Sequence, residues 1–261
     1  MEKRMPVLFI GHGSPMNAIV ENAYTHFLSD LGSRWTRPKA ILVISAHWMT
    51  RGTWVTSMKN PKTIHDFYGF PKALFDVQYP APGSPSVAES VRSLVTEPRI
   101  LSDDSEWGLD HGTWAVLKHM YPEAEIPVLQ LSLSMQDPPS YHLKLGEQLR
   151  KLREQGILIL GSGNIVHNLR QIQWQEKAKP HDWALECDHD IKKRLEARDF
   201  EGIMKAAAET AAGRLSVPTP DHYWPLHYIL GASDSKDEMK FEYEEIQNAS
   251  ISMLSVSFGA A

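Results

Sequence analysis

The sequence predicts an α/β fold, organised as a single domain over residues 1–261 with a mostly parallel central sheet flanked by helices. Three observations predict it. The strongest strand signals are short apolar runs that are continuous rather than alternating, as expected of strands buried on both faces. Helix-like stretches lie between those runs, and strand–helix alternation is the mark of this class. No Gly/Ser linker, charge block, internal repeat or low-complexity tract divides the 261 residues.

Taken in order, Val7-Leu8-Phe9-Ile10 reads as the first strand and residues 18–32 as the first helix. Ala40-Ile41-Leu42-Val43-Ile44 is the second strand. Ser84 followed by Pro85 places an N-cap and a first-turn proline ahead of a helix over 85–97. Asp110 is a possible cap for a helix over 111–120. The third strand is Ile126-Pro127-Val128-Leu129-Gln130-Leu131, and Pro138-Pro139 opens a helix over 139–155. Ile157-Leu158-Ile159-Leu160 is the fourth strand. Residues 181–212 read as helix-rich, 213–220 as a loop and Asp221 to Gly231 as a further helix. Two terminal strands, 240–247 and 250–258, alternate better and are expected to pair antiparallel at a sheet edge.

Composition narrows the function. A chain of this length can bury a sizeable core, and 42% hydrophobic with 23% charged residues is ordinary globular usage. With 27 basic and 32 acidic side chains the net charge is −5, which lacks the electrostatic footprint of a nucleic-acid binder. No apolar stretch approaches the roughly 18–20 residues of a membrane helix, and the short apolar run before Gly11 is too brief for a signal peptide. The single cysteine, Cys187, permits no internal disulfide and no thiolate zinc site. A reducing, cytoplasmic setting is the expectation. Twelve histidines are the unusual entry, and histidine binds metals and moves protons near neutral pH.

Three of the twelve share a placement. The first strand runs into Gly11-His12-Gly13-Ser14-Pro15, the second into Ser45-Ala46-His47-Trp48, and the fourth into Gly161-Ser162-Gly163-Asn164-Ile165-Val166-His167-Asn168. In open α/β sheets, ligands bind in the crevice outside the carboxyl ends of the strands. Parallel strands would therefore bring His12, His47 and His167 to a common site there. One histidine after a strand is ordinarily a hydrogen-bonded structural residue; three in the same placement favour a shared role. His111 and His222 each stand at a probable helix start, where capping and aromatic packing explain them equally well. His26, His119, His142, His181 and His189 have no such context. Gly161-Ser162-Gly163 and Gly11-His12-Gly13-Ser14 do not fit the serine-hydrolase elbow. No phosphate-loop or dinucleotide fingerprint follows the first strand.

These segments form an ordered series: Gly11–Pro15, Ile44–Trp48, Ile64-His65-Asp66-Phe67-Tyr68-Gly69-Phe70-Pro71, Gly108–Trp114, Gly161–Leu169 and Pro220-Asp221-His222 with Pro225-Leu226. The series resembles the class III extradiol ring-cleavage dioxygenases of the LigB superfamily, and within them the bacterial 4,5-DOPA extradiol branch. The similarity runs from residue 6 to about 232. The resemblance implies one mononuclear divalent metal at the strand carboxyl ends. Fe(II) is expected for activity, and Zn(II) is possible in the purified protein because three imidazoles also suit zinc. By motif position it implies His12, His47 and His222 as ligands. His167 would be the acid/base residue and possibly a fourth ligand. His111 would be a catalytic or substrate-contacting residue, and His65 and Tyr68 would border the substrate. Founding members use a glutamate as third ligand; here the matching segment offers His222 beside Asp221.

The implied substrate is a small catechol, L-DOPA or a similar one, opened by O2 to a hydroxymuconic semialdehyde. Rival readings are a zinc-dependent hydrolase, for which Glu106 and Asp110 lie near His111 in sequence, and a non-catalytic Memo-like binding protein on the same fold. Partners for a substrate side chain include Arg170, Arg214, Asp66 and Tyr68. Eight tryptophans are compatible with a homo-oligomer interface or a pocket.

Overall fold

The computed structural model describes residues 4–175 and 178–259. Its strands are β1 (Val7–Gly11), β2 (Ala40–Thr50), β3 (Trp54–Thr56), β4 (Lys62–Thr63), β5 (Leu101–Asp103), β6 (Gly108–Leu109), β7 (Val128–Ser134), β8 (Ile157–Gly163), β9 (Met239–Tyr243), β10 (Ile246–Gln247), β11 (Ile251–Ser252) and β12 (Ser255–Phe258). Its α-helices are α1 (Ala23–Ser33), α2 (Lys72–Phe75), α3 (Pro85–Leu94), α4 (His111–Met120), α5 (Pro139–Leu149), α6 (Asp182–Glu196), α7 (Phe200–Glu209), α8 (Ala211–Ser216) and α9 (Trp224–Ala232).

Among the described residues the main sheet has the order β5-β3-β7-β2-β8-β1-β12-β9. Its centre, β7-β2-β8-β1, is parallel throughout, as the continuous apolar runs predict. Alternate side chains of each strand enter opposite cores. Leu8, Ile10, Ile41 and Val43 pack with Leu28 and Leu31 of α1 and with Trp114 and Leu117 of α4. Val7, Phe9, Leu42 and Ile44 pack on the other face with Leu145 of α5 and with Leu226 and Ile229 of α9. Both faces being covered is why these strands carry no polar alternation. The terminal pair closes the β1 side of the sheet antiparallel, β12 on β1 and β9 on β12.

Several boundaries differ from the sequence expectation for identifiable reasons. The helix expected over 18–32 is split into a 3-10 turn at Pro15–Ala18 and α1. Asn22 opens a new helix there: its Oδ1 accepts the Thr25 N–H at 2.9 Å, and the Thr25 hydroxyl oxygen accepts the Asn22 N–H at 3.0 Å. Helix α3 stops at Leu94, ahead of the Pro98 that disfavours helix in the residue before it. The stretch expected over 139–155 is α5 followed by a tighter 3-10 turn, Arg150–Gln155. The loop expected over 213–220 begins as helix α8, because the Thr210 hydroxyl caps it by accepting the Gly213 N–H at 2.8 Å. The helix expected from Asp221 starts at Trp224. Left-handed Asn248 and Ala249, with φ of 52° and 65°, fold 246–252 into the small β10–β11 hairpin, since such turns need positive φ at both central residues. Strands β3 to β6 are too short to show a period in sequence.

Two features fix the scaffold around the sheet. A methyl group at Gly231 of α9 would collide with the Leu143 carbonyl of α5, so these helices pack in contact at that point. Buried Arg153 donates to both carboxylate oxygens of Asp237 and to the carbonyls of Met5, Ala232 and Phe258. It thereby gathers both ends of the described chain at one point.

Helices α5 and α9 also bury two histidines, His142 and His227, both 0% exposed. Neither ring nitrogen of His227 has a hydrogen-bond partner among the described residues, and His142 has only the Tyr228 hydroxyl, at 3.2 Å from Nδ1. Burial lowers His142 to about 4 and His227 to about 3, the latter also through repulsion from His142. An unfolded histidine titrates at its ordinary value of about 6.5. As pH falls below that value the unfolded chain takes up protons that the folded chain excludes, so stability falls toward the folded-state values. At pH 5 this amounts to about 2 kcal/mol per histidine. The loss of stability between pH 8 and pH 5, measured by urea denaturation, is therefore expected to shrink by about that amount in His227→Leu; an equal loss in variant and parent would contradict it.

Candidate metal centre

Five histidines meet at the carboxyl end of the parallel strands. His12 follows β1, and its N–H donates to the Gly163 carbonyl at the end of β8 at 3.1 Å. The sequence places His47 just past a strand ending at Ile44, but β2 runs on to Thr50. Its pairing with β7 slips between Ile44 and Met49, and its pairing with β8 ends at Ser45. His47 thus sits in the interrupted stretch, where a bulge can re-aim a side chain. His222 lies in the turn before α9, and its carbonyl accepts the Asn164 N–H at 2.9 Å. A methyl at Gly163 would collide with that same carbonyl, so glycine permits this turn to lie directly on the strand end. His111 is the first residue of α4, and His167 follows β8 with a single bridge to Ile251.

The hydrogen bonds behind the rings decide where their lone pairs point. The Ser162 hydroxyl donates to the Gly112 carbonyl at 2.6 Å. Its oxygen is left to accept from His12 Nδ1, 2.9 Å away. Asp66 Oδ2 lies 3.3 Å from His47 Nδ1 and 2.8 Å from His111 Nδ1, and Asp221 Oδ2 bonds His222 Nδ1. Burial alone would raise both carboxyls, but their hydrogen bonds to His111 and His222 outweigh it and hold each below the usual range. An ionised carboxylate only accepts, so the Nδ1 atoms of His111 and His222 that are hydrogen-bonded to one carry the proton, while His47 Nδ1 makes only an ion-pair-range contact with Asp66. The Nε2 lone pairs of His12 and His222 are thereby bare.

Those bare nitrogens converge. His12 Nε2 and His47 Nε2 are 3.2 Å apart, and the potential ligand atoms of His12, His47 and His222 all lie within 4.8 Å of one another. With His12 Nδ1 donating to Ser162, a proton shared between these two Nε2 atoms can come only from His47. Burial, and then repulsion among the rings, lowers His12 and His47 well below the ordinary histidine value. Three imidazoles facing one point, His12 and His222 oriented by hydrogen bonds from behind, match a divalent-cation site.

The other two rings flank this triad. His167 stacks on His222 at 3.5 Å between centroids and 8° between planes. Its proton affinity is lowered by burial and by His222. His111 stands 3.9 Å from His47, centroid to centroid. Its backbone N–H also donates to Asp66 Oδ1 at 2.8 Å. Asp66 itself belongs to a segment tied down by Ile64, whose N–H donates to the Leu109 carbonyl and whose carbonyl accepts the Trp114 indole N–H. Beneath them lies Asp110, fully buried. It accepts from Ser45, Thr113 and Gln130, while burial and the Asp66 charge raise it to about 6.

A cavity of about 720 Å³ opens over the five rings. Tyr68 stands on its border, 92% exposed. His65 is not among the residues that line it. Its Nε2 engages the Val77 carbonyl at 3.0 Å and its ring packs on Phe67 and Trp114, so it buttresses Phe67, which does line the wall. Arg170 and Arg214 stay off the wall as well, and Arg214 donates to the Ala208 carbonyl. Sequence reasoning missed Ser162 as a partner of His12 and Asp66 as the shared partner of His47 and His111. It also missed Leu169, Ile172 and Trp174 in the wall.

The chain is similar to known proteins over nearly its whole length. Residues 6–259 match the family described as the catalytic LigB subunit of aromatic ring-opening dioxygenase. The chain is 46% identical to the 4,5-DOPA dioxygenase extradiol of Escherichia coli K12, covering 98% of this chain and 95% of that one. It is 38% identical to the protein of the same name from Beta vulgaris, covering 88% of each. In structure it is similar to an uncharacterized protein of Escherichia coli K12, with a TM-score of 0.87 and 41% identity, covering 98% of this chain and all of that one.

The Ser162 bridge has a measurable consequence for the protein without metal. Ser162→Ala leaves a buried His12 N–H and the Gly112 carbonyl without their partner. It is expected to destabilise the fold by about 1–3 kcal/mol, read from urea denaturation in the presence of a chelator. An unchanged midpoint would contradict the tautomer assigned to His12.

Proposed function

Because this chain belongs to the LigB family of aromatic ring-opening dioxygenases and is an extradiol ring-cleavage enzyme, we propose that it opens a catechol, L-DOPA or a similar one, with O2 to give a hydroxymuconic semialdehyde. In this reading His12, His47 and His222 hold one divalent ion, Fe(II) in the working enzyme. The observation that carries it is the convergence of three imidazoles, His12 and His222 oriented from behind by Ser162 and Asp221 and His47 standing beside Asp66. The same donor set accepts Zn(II), so isolated protein can carry zinc. Among the described residues no helix is long and apolar enough to cross a membrane, and the buried lone Cys187 suits a reducing cytoplasm.

When bound, the ion supplies Lewis acidity that favours the ionised catechol oxygens. The protein handles the protons. A phenolic hydroxyl holds its proton to a pKa of about 10, so cleavage needs an acceptor close to the bound ring. His167 serves as that base: it lines the cavity beside the triad, and burial keeps its ring neutral. His111 acts second. Its Nδ1 is held on Asp66, whose carboxylate stabilises the ring whenever it carries a proton to pass on.

A zinc hydrolase has little support from these residues. Glu106 does not line the cavity, and the carboxylate of Asp110 is occupied by Ser45, Thr113 and Gln130.

Substitution separates the roles. His12→Ala and His47→Ala are expected to lose both the bound metal, by elemental analysis, and oxygen uptake after anaerobic Fe(II) reconstitution. His167→Ala is expected to keep most of its metal while losing about 10²- to 10⁴-fold in turnover, as for removal of a positioned base. Full metal occupancy in the His12 or His47 variant would overturn the ligand assignment.

A further inference from the structure

We propose, resting on the reading of His167 as the base that takes the catechol proton, that Asn168 and Ser250 are positioning residues of the reaction: together they fix where that base stands. His167 differs from the rings around it. His12, His47, His111 and His222 each have Nδ1 beside a side-chain oxygen of Ser162, Asp66 or Asp221. Neither ring nitrogen of His167 has a hydrogen-bond partner among the described residues. What touches the ring is the face of His222, 3.5 Å away and 8° from parallel. Stacking sets the plane of a ring more firmly than its place within that plane. The place of this ring therefore comes from its backbone.

An imidazole without a partner behind it suits a base. The catechol O–H bond breaks, the new N–H bond forms on the ring's lone pair, and the oxygen keeps the electron pair. That transfer needs the two heavy atoms within about 2.6–3.2 Å, and a misplacement of about 1 Å costs on the order of 10²-fold. The segment around His167 is clamped to match. The His167 N–H donates to the Ser216 carbonyl at 2.8 Å, and the Val166 carbonyl accepts the Ser252 N–H at 3.0 Å. Those are main-chain bonds. The residue after the base is held by side chains as well. Asn168 Nδ2 donates to the Leu215 carbonyl at 2.7 Å, and its Oδ1 accepts the Arg170 N–H at 3.0 Å. The Asn168 N–H donates to the Ser250 carbonyl at 3.2 Å, and the Ser250 hydroxyl donates back to the Asn168 carbonyl at 2.9 Å.

Residues 167–168 thus dock side by side on residues 215–216, where α8 ends, and Ser250 ties the same point to the β10–β11 hairpin. Asn168 is 5% exposed and Ser250 0%, so water does not readily replace a lost partner there. Neither residue lines the cavity. Whatever they contribute to the reaction passes through His167.

The test pairs each substitution with His167→Ala. Asn168→Ala and Ser250→Ala are made in the parent and in that background, and oxygen uptake with L-DOPA is followed on the Fe(II)-reconstituted proteins. In the parent, kcat is expected to fall by about 10²-fold for Asn168→Ala and about ten-fold for Ser250→Ala, with KM and metal content kept. In the His167→Ala background the same changes are expected to alter kcat by less than about two-fold, because no base is left to position. Should Asn168→Ala fail to fold, Ser250→Ala, which removes one oxygen, carries the comparison. Zn(II)-loaded protein under nitrogen gives a second readout with 4-nitrocatechol, whose colour changes with each proton lost. The probe is expected to bind doubly ionised to the parent and singly ionised to His167→Ala, with Asn168→Ala and Ser250→Ala shifted toward the latter. Equal losses of kcat in both backgrounds, or a probe as fully ionised in the two variants as in the parent, overturn the inference and leave His167 as the base. Parental turnover and a doubly ionised probe in His167→Ala overturn that reading, and the inference with it.

Discussion

Everything at the carboxyl end of this sheet depends on three acceptors placed behind three imidazoles. Ser162 and Asp221 each take the Nδ1 proton of a histidine, and so each turns a bare Nε2 toward the same point, while Asp66 stands beside His47 Nδ1. Without them a buried imidazole is free to present N–H or lone pair from either edge. The acceptors come from different parts of the fold, and two are secured in turn, Ser162 by the Gly112 carbonyl and Asp66 by the His111 backbone, while His222 itself is fixed by the backbone of Asn164. The site's order is thus a property of its surroundings more than of its ligands.

Asp66 does the most with the least. One carboxylate orients His47, which belongs to the triad, and His111, which does not. The rings proposed to hold a metal and to handle protons therefore share a neighbour, and a displacement of the 64–71 segment reaches both. Asp110, deeper and bonded on every side, plays a separate part: it joins β2 to the start of α4 through Ser45 and Thr113.

Much of this was legible in the sequence because burial on two sides leaves a continuous apolar run. Val7 and Phe9 serve one core while Leu8 and Ile10 serve the other, so neither face could be polar. Histidines directly after such runs announced the crevice. What stayed illegible was contact between distant segments. Asp66 carries no local sign that it will meet His47 and His111, nor does Ser162 of His12, and His65, which shares the motif, turns away to Val77. The cap at Thr210 that starts α8 lay in an alanine-rich stretch with no period to mark a break. Leu169 and Trp174 look like ordinary surface residues until the cavity joins them.

The order in which the triad lies along the chain has a consequence for how the centre comes into being. His12 and His47 belong to the first strands, whereas His222 sits in the last third, held by Asp221, by the stacked ring of His167 and by its contacts with the close of β8. During synthesis the first two leave the ribosome some 175 residues ahead of the third. Until then a growing chain offers two of the three nitrogens of this triad. The set is complete only once the last third has folded back against the sheet, so a site on these three rings reports that distant segments have met.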